Sequence, residues 1–235
     1  MGRVVHLTSA HPRDDIRVFL KECRSLAAHG HEVVLVVADG RGDEVRDGVT
    51  IADVGRSAGR LDRMFKATRR VSRKAVALDA DIYHLHDPEL LLVGLKLKRR
   101  GKKVVFDAHE DVPKQILGKH YLHPWVRRVL SWGFAHFEHY ACARFDGVVT
   151  ATPYIRDKFL PINLRSVDIN NFPMIGELEN AVPWGDKADE VCYVGSIAQI
   201  RGVKELVRAM ESTRTPARLN PVSYTHLRAH ETRHD

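Results

Sequence analysis

A chain of 235 residues, 44% of them hydrophobic and 29% charged, carries enough apolar mass for one substantial core and part of a second, which excludes a disordered protein. It has no apolar run of the roughly 18 residues that a membrane-spanning helix needs. Met1-Gly2-Arg3-Val4-Val5-His6 lacks both the apolar stretch of a signal peptide and the Ser/Thr of a myristoylation site, so a cytoplasmic protein is expected. A net charge of +7 favours anionic partners without choosing among nucleic acid, acidic lipid and phosphorylated substrates.

Along the chain, short β-branched runs alternate with longer stretches of helical spacing. Arg3 to Ser9 reads as a strand, and Asp15 to His29 as a helix burying Ile16, Phe19, Leu20, Cys23, Leu26 and Ala27 and ending at Gly30. Strands follow at His31 to Val37 and Val49 to Val54, then a basic helix from Leu61 to Leu78 and a strand from Asp81 to His86. Pro88 to Arg100 is a helix closed by Gly101, Lys103 to Asp107 a strand, and about Pro124 to Arg144 a helical tract. A strand at Asp146 to Ala151, a short helix around Tyr154 to Leu160 and a strand near Ser166 to Asn170 complete one domain. The expected class is α/β, a doubly wound, Rossmann-like parallel sheet with a truncated second domain.

The boundaries follow from composition. Residues 1–172 form the first domain; 173–189, with Pro173, Gly176, Pro183 and Gly185 and no periodicity, read as a linker. Residues 190–212 read as the opening strand and helix of a second domain, too short to complete one. In the 213–235 tail, Pro221 to Asp235 resembles translated sequencing-adaptor sequence and is set aside, with His226, His230 and His234, as non-native. Cys23, Cys142 and Cys192 share no metal or redox spacing and read as buried, reduced thiols.

Ligands of an open parallel sheet bind at the carboxyl ends of its strands. Three polar clusters fall there: Thr8 to Asp15, with Asp14 or Asp15 available to cap a helix; His84-Leu85-His86-Asp87-Pro88-Glu89; and Asp107-Ala108-His109-Glu110-Asp111. Each alone is weak evidence, since a strand-end His is more often a hydrogen-bonded structural residue than a catalyst, but three on one rim point to a site. Near the other end, Val191 to Val194, Gly195 and the helix beginning at Arg201-Gly202 form a strand, turn and helix N-terminus suited to a diphosphate. In the basic helix, Arg60, Arg63, Lys66, Arg69, Arg70, Arg73 and Lys74 flank an apolar stripe of Leu61, Phe65, Val71, Ala75 and Leu78, with Asp62 as the nearby anion. That helix is either an ordinary solvated face or a contact for an anionic membrane surface. No aromatic interleaving accompanies the charge, so no nucleic-acid partner is expected.

Taken in order, Gly30-His31-Glu32-Val33, Asp81-Ile82-Tyr83-His84-Leu85-His86, a strand ending in His109, and Tyr193-Val194-Gly195-Ser196 with Arg201-Gly202 resemble the retaining GT-B glycosyltransferases of the group 1, family 4-like class. The resemblance runs over about residues 3–211. It implies an acceptor-side N-terminal domain, and a C-terminal domain that holds a nucleotide-diphosphate sugar. It places His109 beside the reaction centre as the catalytic candidate, Gly195, Ser196, Arg201 and Gly202 at the donor phosphates, and His11, Arg13, His86 and Glu110 on the acceptor side or in the cleft.

Three departures stand out. Ser196 occupies the place of the family's usual Arg, Arg201 that of its diphosphate-contacting Lys, and His11 to Asp15 that of its glycine pair. The donor-holding glutamates belong to sequence beyond this chain. The expected activity is retaining, metal-independent sugar transfer from a nucleotide-diphosphate sugar to a cell-surface glycan or lipid-linked acceptor, with no cofactor and no metal. The chain by itself is expected to be an inactive fragment, peripheral to the inner face of the cell membrane if the basic helix docks there. Two other readings stay open: a metal-dependent hydrolase built on His84, His86 and His109, and a non-catalytic module that binds nucleotide or membrane.

Overall fold

The computed structural model of the protein describes residues 2–119, 121–176, 182–197 and 201–223. The chain divides into two compact units, Met1–Phe172 and Pro173–Asp235.

The first unit is built on an eight-stranded sheet in the order β3-β4-β2-β1-β5-β6-β7-β8. Its strands are β1 (Arg3–Leu7), β2 (Glu32–Val37), β3 (Glu44–Arg46), β4 (Val49–Asp53), β5 (Ile82–Leu85), β6 (Lys103–Ala108), β7 (Gly147–Thr150) and β8 (Ser166–Asp168). Every pairing is parallel except β3 with β4. The chain winds outward from β1 to β2 and β4, then returns to the other side of β1 and continues through β5, so strand order reverses between β1 and β5. Ligands of such sheets bind at the carboxyl ends beside that reversal.

Alternation along the strands sends side chains to two faces. Val5, Leu7, Val34, Val36, Tyr83, Leu85, Val104 and Phe106 pack on one face with Leu90, Leu91, Leu95 and Phe145. On the other face Val33, Leu35, Val37, Val49 and Ile51 pack with Val18, Phe19 and Cys23 of the first helix. That helix begins with a π-helical stretch, Ile16–Cys23, and continues as an α-helix, Arg24–Ala28. Asp15 caps it, its carboxylate accepting from Arg17 N at 2.9 Å and Val18 N at 2.8 Å. The wider turn changes which residues face inward: Ile16, expected in the core, is exposed, and Arg17 is buried instead.

The basic helix runs through Arg60–Asp62, Arg63–Ala67 and Thr68–Leu78. Val71 and Ala75 of its expected apolar stripe are buried, whereas Leu61 and Phe65 are exposed. Helices at Leu91–Lys98, Pro124–Cys142 and Pro153–Phe159 occupy the segments the periodicity assigned to helix. Two elements of the first unit were not read from the sequence: β3, joined to β4 through Asp47 and Gly48, both at positive φ, and a short helix at Val112–Leu117 with Pro113 in its first turn.

In the second unit, β9 (Glu190–Val194) pairs in parallel with β10 (Arg218–Val222), and a helix, Val203–Glu211, lies between them in sequence. Pro221 and Val222, set aside above as non-native sequence, sit in β10 opposite Tyr193 and Val194. His226, His230 and His234 lie outside the described residues. A single 3₁₀ turn, Trp184–Asp186, falls in the segment read as linker. Cys23 and Cys142 are buried as expected, but Cys192 is exposed. Among the described residues no helix is long and apolar enough to cross a membrane.

Gly94 shows how tightly the face opposite the first helix is filled. A Cβ at this position would come within 2.5 Å of Leu85 Cδ1 and 2.7 Å of Phe145 Cζ. Gly94→Ala is therefore expected to destabilise the fold by about 1–3 kcal/mol, the range for overpacking a dense core, despite alanine's better helix propensity. Urea denaturation of the two proteins measures the difference.

Candidate active site

The loops after β1, β5 and β6 meet at the strand-order reversal. They border a cleft of about 720 Å³ whose polar wall includes His11, His86, Asp87, His109 and Glu110. Met64, Phe65, Leu92 and Phe137 form an apolar wall. The cleft thus joins hydrogen-bonding groups to a greasy margin, the usual composition of a small-molecule site.

Two buried aspartates organise the polar wall. Asp87 precedes Pro88, where a helix-capping role would be ordinary, but its carboxylate is turned to the loop after β1 instead. It accepts from Thr8 Oγ1 at 2.8 Å, Ser9 N at 2.6 Å and Ala10 N at 3.1 Å, and lies 2.9 Å from His11 Nδ1. Burial alone would raise its pKa; the His11 contact and the loop donors outweigh that and hold it down at about 2. The same contact acts in reverse on His11, whose pKa burial would lower but whose pairing with Asp87 leaves it raised.

Asp107, at the end of β6, is fully buried. Arg17 meets it in a bidentate pair, Nε to Oδ2 at 2.9 Å and Nη2 to Oδ1 at 2.8 Å. His109 Nε2 lies 2.8 Å and His86 Nδ1 3.3 Å from Oδ2. Burial opposes its charge, yet these three partners hold the Asp107 carboxyl well below the usual carboxylate range. Asp107 therefore fixes the ring of His109 from behind while that side chain stays 20% exposed at the cleft.

Beneath these residues lies a third polar group. His6 of β1 stands opposite His84 of β5, and both share a face with His86 and with Glu22 of the first helix. Burial lowers the pKa of all three histidines, His84 to about 3. Burial, reinforced by the charge of Asp107, raises Glu22.

The structure brings His11, His86, His109 and Glu110 together in one cleft. Arg13, also expected on the acceptor side, does not line it: the guanidinium is buried, paired to Asp39 at 2.7 and 2.6 Å and to Glu44 at 3.2 Å, and donates to Gly42 O. The set His84, His86 and His109 is split, because His84 groups with His6 and Glu22 while His109 groups with Asp107, and only His86 belongs to both. Sequence reasoning missed His6, Arg17 and Glu22. Arg17 and Glu22 lie five residues apart, the spacing of a π-helical turn, and their side chains approach to 3.2 Å.

In the second unit, Gly195 N donates to Val222 O at 3.1 Å, and the Tyr193 hydroxyl donates to Ser196 O at 2.8 Å. Gly202 adopts the left-handed conformation, φ 69°, at the start of the Val203–Glu211 helix, with exposed Arg201 just before it.

The glycosyl transferase 4-like domain matches residues 16–173. The chain belongs to that family. No curated protein matches it. Among solved structures, the fold is similar to sucrose-phosphate synthase from Thermosynechococcus elongatus, with 16% identity, a TM-score of 0.62, and coverage of 94% of this chain and 62% of that one. It is also similar to Anabaena HepE in complex with UDP and glucose, with 11% identity, a TM-score of 0.62, and coverage of 99% and 64%. A third, an E. coli trehalose-6-phosphate structure bound with UDP-2-fluoro glucose, has 12% identity, a TM-score of 0.65, and coverage of 94% and 64%. At these identities the likeness is one of fold, the mostly parallel GT-B sheet. The chain spans under two thirds of the length of each of these relatives.

The electrostatics of the family's cleft can be tested directly. His11 is expected to titrate above the usual histidine value in the protein and lower than that in Asp87→Asn, where burial is opposed only by the charges of Asp15 and Asp107. NMR titration of the His11 ring resonances in the two proteins reads both values.

Proposed function

We propose that this chain supplies the acceptor-side domain, residues 1–172, and the opening of the donor-binding domain, residues 190–212, of a glycosyltransferase. The enzyme moves a sugar from a nucleotide-diphosphate donor to a hydroxyl of a cell-surface glycan or lipid-linked acceptor, with retention at the anomeric carbon. The observation that carries the reading is the convergence of His11, His86, His109 and Glu110 at the strand-order reversal of a glycosyl transferase 4-like domain. In this mechanism the acceptor rests against the mixed wall of the cleft. His109, its ring anchored by Asp107, orients the transferred sugar at the reaction centre. The departing diphosphate gathers negative charge, which the Arg201 guanidinium and the N–H groups at the start of the Val203–Glu211 helix stabilise without a metal.

These roles separate kinetically. In the full-length protein, His109→Ala is expected to lower turnover far more than donor affinity. Arg201→Ala should lower both, with donor affinity falling at least about tenfold, the size of one charge-assisted hydrogen bond. Calorimetry with nucleotide-diphosphate sugars beside steady-state rates distinguishes the two, and wild-type values in both variants would overturn the assignment. NMR of the product's anomeric configuration tests retention.

We also propose that the protein works on the cytoplasmic side of a membrane, docking through the basic helix. Leu61, Met64 and Phe65 are 73%, 50% and 67% exposed, beside the exposed cations Lys66, Arg69 and Arg73. Arg63 and Arg70 are engaged elsewhere, with Glu89 at 2.9 Å and with the Gly55 and Arg56 carbonyls, so they serve the fold more than the lipid. Co-sedimentation with anionic vesicles is expected to weaken with salt and in a Lys66→Gln, Arg69→Gln, Arg73→Gln variant, and to fall further when Phe65 becomes Ser. Binding unaltered by these changes would leave the helix an ordinary solvated face.

A further inference from the structure

We propose that His6, Glu22, His84 and His86 form a binding site for one divalent transition-metal ion of the zinc class, which ties the first helix to the sheet beneath the cleft. One potential ligand atom from each residue lies within 4.8 Å of every other. Glu22 Oε2 stands 3.6 Å from His84 Nδ1, 3.9 Å from His6 Nδ1 and 3.9 Å from His86 Nε2, and the last two nitrogens share a hydrogen bond of 2.9 Å that an ion would replace. A tetrahedral ion with bonds of about 2.0–2.1 Å sets its ligand atoms roughly 3.4 Å apart. Small side-chain adjustments therefore suffice to close these four atoms around one ion.

The placement of the four residues also suits a built site. His6 and His84 are register partners on neighbouring parallel strands, His86 follows two residues on and projects to the same face, and Glu22 closes the set from the helix packed on that face. Three imidazoles and one carboxylate form a donor set that borderline ions such as zinc, cobalt or nickel accept readily, whereas magnesium and calcium favour oxygen. His86 presents Nε2 to the group and turns Nδ1 toward the Asp107 carboxylate at 3.3 Å, close to the carboxylate–imidazole arrangement that orients a metal ligand.

Among the described residues, both Glu22 carboxylate oxygens are buried and accept no hydrogen bond; Oε1 lies 3.2 Å from Arg17 Nε as an ion pair, while Oε2 faces the three imidazoles. The side chains of Glu22 and His84 remain 13% and 12% exposed, which leaves a route for an ion to enter. The site holds structure and takes no part in the metal-independent departure of the diphosphate proposed above, and it stands whether or not that activity is found.

The test uses the purified 235-residue chain stripped of metal by chelation. Titration with cobalt(II) is expected to give one equivalent bound, visible absorption of tetrahedral intensity, displacement by zinc and a raised melting temperature. Glu22→Gln and His84→Ala, checked for folding by circular dichroism, should weaken binding at least about a hundredfold. A variant with His226, His230 and His234 all changed to Ala should bind as the wild type does. Zinc-edge X-ray absorption on that variant should report an imidazole-rich nitrogen and oxygen shell, a readout that does not depend on whether the cluster variants fold. Absence of stoichiometric binding, equal binding by folded Glu22→Gln or His84→Ala, loss of binding with the tail histidines, or a shell of six oxygens would overturn the proposal.

Discussion

A buried carboxylate with no cation beside it would cost several kcal/mol, and Asp107, fully buried near the end of β6, avoids that cost only through its partners. Its requirement for partners shapes what surrounds it. Arg17 must come from the first helix to meet it, and the same guanidinium donates through Nη1 to Ile169 O at 2.6 Å, just past β8. One side chain thus joins the first helix, the sixth strand and the chain's exit from the sheet. His86 and His109 complete the ring and inherit their positions from it.

The face of the sheet under the first helix is divided by this polar centre. Toward β2 and β4 it is closed by aliphatic packing, with Val33, Leu35, Val49 and Ile51 against Val18, Phe19 and Cys23. Toward β1, β5 and β6 the same face carries His6 and His84 as register partners, and Asp107 two residues beyond Val105, the partner of His84 in β6. The opposite face is aliphatic and aromatic across the same strands. An apolar set would have stabilised the β1, β5 and β6 region at lower cost without an ion, so the polar side chains there do what aliphatic packing cannot. A parallel constraint operates in the neighbouring loop, where Asp87 gathers the residues after β1 and holds His11 at the cleft wall in place of capping the helix that follows it.

Much of this architecture was legible in the sequence because parallel strands buried on both faces read as unbroken β-branched runs, and Gly30 and Gly101, both at positive φ, mark the ends of helices. The family resemblance rested on the same strand ends, and the three polar clusters converge as expected. What was missed has local causes. The β3–β4 hairpin is carried by strands of three and five residues, and its signal was the Asp47-Gly48 pair in a two-residue turn. Arg13 looked like a loop residue at a ligand rim, and only the fold places Asp39 and Glu44 around it. Leu61 and Phe65 fit a helical stripe by spacing, but Phe65 lies at the cleft margin and Leu61 stays exposed. β10 went unread because its residues Arg218-Leu219-Asn220-Pro221-Val222 lack alternation and include a proline, and it is the pairing with β9 that makes them a strand.

The π-helical stretch at Ile16–Cys23 has a consequence for comparing this domain with its relatives. Backbone bonding there reaches from Leu20 N to Asp15 O at 3.2 Å, so the helix accommodates one residue more per turn than an α-helix would. Glu22 is consequently brought above Arg17, whereas at α-helical spacing a residue five positions on is rotated about 140° away from the first. A homologue whose first helix is α-helical throughout would lack one residue between these two positions. An ungapped alignment from Arg17 would then match Glu22 with a neighbour that points elsewhere, and the geometric equivalent of Glu22 would lie one place nearer the N-terminus.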